Sequence, residues 1–118
     1  MKLVRMLPFL ENAELKELVD SILNDQLDKD SISIIEVVPF LEDEEINRLF
    51  NGAIEGKIDV NPVAFLPFLE NEAMNELVDR IQSGEITNVK IESIIPFLEK
   101  EQIQKIFRDT LNSMKKKE

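Results

Sequence analysis

The tetrapeptide Pro-Phe-Leu-Glu occurs four times in this chain, beginning at Pro8, Pro39, Pro67 and Pro96, with spacings of 31, 28 and 29 residues. A period near 29 falls in the range that marks helical or mixed repeat arrays, so the question becomes what one unit folds into. The match runs past the tetrapeptide. Seven residues after each Pro stands Leu15, Ile46, Met74 or Ile103; ten after, Leu18, Leu49, Leu77 or Ile106; eleven after, Val19, Phe50, Val78 or Phe107. With Ile22, Ala53 and Ile81 at fourteen, these offsets trace one face of an amphipathic helix, here helix B. Lys16, Glu17, Asn47, Arg48, Asn75, Glu76, Gln104 and Lys105 lie between them and suit water.

Both ends of helix B carry signals. Glu11-Asn12, Glu42-Asp43 and Glu70-Asn71 put carboxylates and cap-type side chains where free N–H groups and the helix dipole favour them; the fourth copy has Lys100 there, a poorer cap. Seventeen residues after each Pro come Asp25, Gly56, Gly84 and Ser113, and a Gly at this point readily takes the left-handed conformation that closes a helix. Two residues on, Leu27, Ile58 and Ile86 could fold back on the last turn, whereas the fourth copy has Lys115.

Ahead of each Pro lies a second apolar segment, A: Leu3 to Leu7, Ile32 to Val38, Val60 to Leu66 and Val89 to Ile95. The β-branched run Ile32, Ile34, Ile35, Val37, Val38 would suit a strand taken alone. Helix is expected instead, two to three turns long, because Asp30 and Asn61 read as N-caps with Pro62 at the first helical position, and one structure must serve all copies. Proline should then kink or end segment A and turn the chain into helix B.

Neither element of such a unit can bury its apolar surface alone, so neighbouring units must cover one another. The expected fold is all-α: a right-handed stack of about four two-helix repeats, some eight helices, with Phe9, Phe40, Phe68 and Phe97 as a buried ladder. It comprises a single domain over residues 1–114, with units near 1–26, 27–57, 58–85 and 86–114, and a charged tail at 115–118. In architecture this resembles the short two-helix α-solenoid repeats of the HEAT and armadillo class. The resemblance implies a stacking mode only; the sequence motifs are different, and it transfers no functional residue.

Composition narrows the chemistry. The chain has no His and no Cys, hence no imidazole base near neutral pH, no thiolate nucleophile and no zinc site of the usual ligands. No glycine-rich phosphate loop is present among Gly52, Gly56 and Gly84. Glu11, Glu42, Glu70 and Glu99 could line up as a carboxylate ladder, but a feature repeated in every unit reads first as helix-start chemistry. Asp25, Asp28 and Asp30 do not make a calcium loop, since the sixth and twelfth positions counted from Asp28 are Ser33 and Pro39 rather than Gly and Glu. No catalytic, cofactor-binding or metal residue is therefore expected, and no enzyme.

With 14 basic against 24 acidic residues and a net charge of −10, direct binding to nucleic acid is not expected either; only Lys115 to Lys117 are basic in a run. No stretch approaches the roughly 18 apolar residues of a membrane span, and a cytoplasmic protein is the default expectation. What remains is a non-catalytic module binding or scaffolding an unidentified protein partner, or alternatively an acidic regulator that mimics nucleic acid toward a basic protein. Thr110 in the last helix B looks like a polar cap on the array, which leaves the N-terminal Leu3, Val4, Met6 and Leu7 as the end through which a homodimer would form.

Overall fold

A computed structural model describes residues 3–28 and 32–115. The described residues are helical throughout their regular structure, with no strand among them, so the β-branched run before Pro39 resolves as helix. Four amphipathic helices of similar position in the repeat dominate: α1 (Asn12–Leu23), α3 (Asp43–Ile54), α4 (Asn71–Gln82) and α6 (Lys100–Met114). They are the B helices, starting four residues after each Pro as the periodicity predicts.

The A segments are shorter and tighter than expected. The second and fourth are single α turns, α2 (Ile34–Val37) and α5 (Ile91–Ile94), that narrow into 3-10 turns over Val38–Phe40 and Ile95–Phe97. The first consists of two 3-10 turns (Leu3–Arg5, Leu7–Phe9), and the third is a 3-10 segment across Pro62–Phe68. Asn61 caps that segment as read from the sequence, its Oδ1 accepting the Val63 N–H at 3.0 Å with Pro62 next in line. Asp30 lies outside the described residues.

The elbow is two residues later than the proline rule places it. Val38 and Ile95, immediately before Pro, are in the right-handed helical region, and the chain runs through Pro into Phe. A short 3-10 turn tolerates this because Pro sits at its start, where no N–H is required. The turn closes when the Leu of the tetrapeptide donates to the residue before Pro: Leu10 to Leu7 (3.2 Å), Leu41 to Val38 (3.1 Å), Leu69 to Leu66 (3.3 Å) and Leu98 to Ile95 (3.1 Å). Leu and Glu are then both extended, with ψ from 140 to 173°, and helix B begins.

At the far end of helix B the sequence reading holds at three copies. Gly56 and Gly84 have φ of +78 and +86°, and Asp25 takes the same left-handed turn at +54°. The chain reverses through paired bonds, Gln26 N–H to Ser21 C=O (3.0 Å) and Lys57 N–H to Gly52 C=O (2.8 Å), which satisfy carbonyls the helix leaves free.

Buried apolar residues form one cluster running from Leu7 to Ile106. It is drawn from the B-helix offsets and, in each A segment, from the residues just before Pro: Leu7, Val37, Val38, Phe65, Leu66 and Ile94 are all at most 3% exposed. Consecutive units supply it, with α1 against α3, and α3 and α5 each against the Pro62–Phe68 segment. The molecule is long and thin, 66 × 24 × 19 Å, with a radius of gyration of 17.0 Å. A compact chain of this length would have roughly 13–14 Å.

Candidate interaction surface

The same turn that buries the residues before Pro puts Pro and Phe outside. Phe9 is 85% exposed, Phe40 39% and Phe97 43%, and only Phe68 is half-buried. The expected buried phenylalanine ladder is therefore wrong. In a 3-10 turn successive residues point about 120° apart, so one turn cannot direct both the pre-proline residue and the Phe into the same core. Ile95, 37% exposed, is the exception on the inner side. Three of the four units thus hold a proline and an aromatic ring at the surface, in similar local geometry.

The repeated glutamates start their helices as read from the sequence, Glu99 in a capping box with Gln102, and some of them also have a second role. Glu11, Glu42 and Glu70 stand at the N-cap position of their helices, but none of them bonds its own helix through the side chain. Glu42, Glu70 and Glu99 face the preceding unit. Asn12 Nδ2 donates to Glu42 at 2.9 Å, and Asn71 Nδ2 donates to Glu99 at 2.9 Å, each across one repeat period. Between these two clasps the donor is missing, because Asp43 occupies the Asn position and meets Glu70. The Glu70 carboxyl is raised above its ordinary range, chiefly by the charge of Asp43 and then by burial.

The consequence has a sign. A carboxylate whose affinity for its proton is higher in the folded than in the unfolded chain loses stability as pH rises through its unfolded and then its folded value, and regains it on acidification. Asp43→Asn should restore the clasp of its neighbours, raising the melting temperature at pH 7, and the gain should be smaller at pH ~4, toward which the Glu70 carboxyl takes up its proton. Thermal denaturation of the two proteins at both pH values checks this.

Further along helix B, other polar pairs bridge units at the same period. Arg80 Nη1 donates to Asn51 at 3.0 Å, Lys105 Nζ to Asp79 at 3.2 Å, and Arg48 pairs with Asp20 while its other nitrogen reaches Glu45 at 2.7 Å. Glu45 is buried, and the charge-assisted bond to Asp20 is the largest influence raising the Arg48 guanidinium above its usual value. Such pairs were not anticipated, although the signal was present: Asp or Asn at twelve residues after one Pro is matched twice by Arg or Lys nine residues after the next.

An open groove of about 850 Å³ lies between the turns that follow α1 and α3, bordered by Leu27, Ile58 and Val60 with Asp25, Asp28 and Lys57 at its mouth. Asp25 is there as the left-handed helix terminator, and Asp30 is outside the described residues. Among the described residues no three Asp or Glu converge on a point that could hold a metal ion, and no buried polar side-chain atom lacks a partner. No helix among them is long and apolar enough to cross a membrane.

The end of the molecule formed by α6 is not capped as its sequence suggested. Thr110 is exposed, but so are Phe107 (61%), Leu111 (41%), Met114 (73%) and Ile103 (38%) around it, so one polar position leaves an apolar face open. Compared with protein-family models, curated proteins and solved structures, the chain gives no significant match to any of them.

Proposed function

We propose that this chain is a non-catalytic protein-interaction module, an acidic α-solenoid-like stack of four two-helix units working in the cytoplasm, whose contact surface is built from its Pro-Phe elbows. The observation that carries this is the exposure of Phe9, Phe40 and Phe97 at the same position of three units, beside residues just ahead of Pro, Leu7, Val38 and Ile94, that are almost fully buried. Exposed aromatic rings cost solubility and contribute little to the fold, whereas aromatic side chains at a surface are the usual anchors of protein interfaces. Repetition supports the reading, because an elongated array offers the same contact several times along its length. A chain without His or Cys has few groups suited to acid–base or covalent catalysis at neutral pH, which fits a binding role.

The test is capture of partners from native extract at low and at several tenths molar salt, with the wild type and with Phe9→Ser/Phe40→Ser/Phe97→Ser. An apolar contact surface predicts partners retained at both salt levels and lost with the triple substitution. Binding that ignores the substitution and disappears at high salt would instead support an acidic regulator competing for a basic protein, and would sink the elbow surface.

A further inference from the structure

The junctions between units draw on recurring positions, the middle one departing in its polar pairs, where Asp43 meets Glu70 and Asn51 takes Arg80 at position thirteen. The residue eleven after one Pro lies where the following unit's A segment arrives: Phe50 meets Phe65 edge-to-face, ring centroids 6.0 Å apart, and Phe65 is two residues before the next Pro. At the other two junctions the equivalent pairs are Val19 with Val37 and Val78 with Ile94, and all six side chains are at most 4% exposed. Around this apolar centre, position four of one unit faces position three of the next (Asn12 to Glu42, Asn71 to Glu99), and position twelve faces position nine (Asp20 to Arg48, Asp79 to Lys105).

The two ends of the molecule hold the two unpaired halves of this pattern. Phe107, eleven after the last Pro, is 61% exposed, and Met6, two before the first Pro, is 41% exposed. The polar positions match as well. Position four of the last unit is Lys100 and position three of the first is Glu11; position twelve of the last is Arg108 and position nine of the first is Glu17. All four are exposed, and in a chain of net charge −10 both pairs bring a cation to an anion.

We propose that these ends are the halves of one more junction and that the partner is a second copy of this chain: the α6 face of one copy takes the Leu3–Phe9 segment of the next. Phe107 packs on Met6, Lys100 pairs with Glu11, and Arg108 pairs with Glu17. The contact is heterologous, so it leaves a free end at each side and generates linear chains of copies rather than a closed dimer. The proposal rests on the repeat-stack reading above, since it extends that stack by its own rule.

Sedimentation and light scattering of the wild type from about 10 μM to about 1 mM should show a weight-average mass rising by about twofold or more, less at high salt. Phe107→Asp blocks one end and Met6→Asp the other. Each variant alone should stay monomeric, and an equimolar mixture should form a one-to-one dimer that grows no further. Because Met6 is partly packed, Glu17→Arg serves as a second block at a fully exposed site; it should abolish association, and adding Arg108→Glu to the same chain should restore it. A wild type that remains monomeric throughout, or association that survives in either single-end variant alone, overturns the proposal. Solution scattering of the monomer separates the two readings: an elongated particle near 66 Å that does not self-associate leaves the stack standing and removes only the end-to-end junction.

Discussion

Phe65→Ala is expected to destabilise the protein by about 3–5 kcal/mol, a large part of what holds a domain of this size folded. Phe65 is fully buried, packs edge-to-face on Phe50, and sits in an A segment that packs on both α3 and α5. Its removal leaves a cavity at the junction of two units, which the surrounding backbone can fill only by shifting one unit against the next. Phe9→Ala, by contrast, removes a ring that is 85% exposed and should change stability by no more than a few tenths of a kcal/mol. Urea denaturation of the two variants compares them directly. Equal losses would mean that the elbow phenylalanines are structural after all, and the contact surface assigned to them would lose its support.

That contrast also marks what the sequence could and could not reveal. The B helices are legible because their apolar residues recur at helical spacing in four aligned copies, and each copy corrects the noise of the others. The left-handed turn after each inner B helix was legible from Gly56 and Gly84, and the alignment carried Asp25 with them. The A segments were not, because in a turn of three residues there is no period to read. A shift from an α to a 3-10 turn exchanges which of four adjacent apolar residues faces inward, and Val-Val-Pro-Phe or Phe-Leu-Pro-Phe is apolar in every register. The glutamate clasps were hidden for another reason. A carboxylate at a helix start has a sufficient local explanation, and only the packing of α1 against α3 shows that Glu42 faces Asn12. The exposed elbows were missed with the phenylalanines, since a repeated aromatic in an apolar setting reads as core until the turn that turns it outward is seen.

Arg48→Ala is the second substitution expected to have a large effect, about 2–3 kcal/mol at pH 7, although Arg48 itself is half-exposed. Its two nitrogens hold Asp20 of α1 and Glu45 of α3, so it ties two units together and also neutralises a carboxylate that is only 4% exposed. The pair with Asp20, more than half exposed, contributes little by itself. The loss comes from Glu45, left buried without the guanidinium that pairs with it. Arg48→Lys keeps the charge but not the fork, cannot serve both carboxylates at once, and should fall between. Replacing both partners, Glu45→Met with Arg48→Met, should recover most of the loss, because an apolar pair of similar volume leaves no buried charge behind. Urea titrations of the four proteins at pH 7 decide it. If the double Met variant loses as much as Arg48→Ala, the burial of Glu45 is not the source of the effect, and the bridge to Asp20 must then carry the coupling between the first two units.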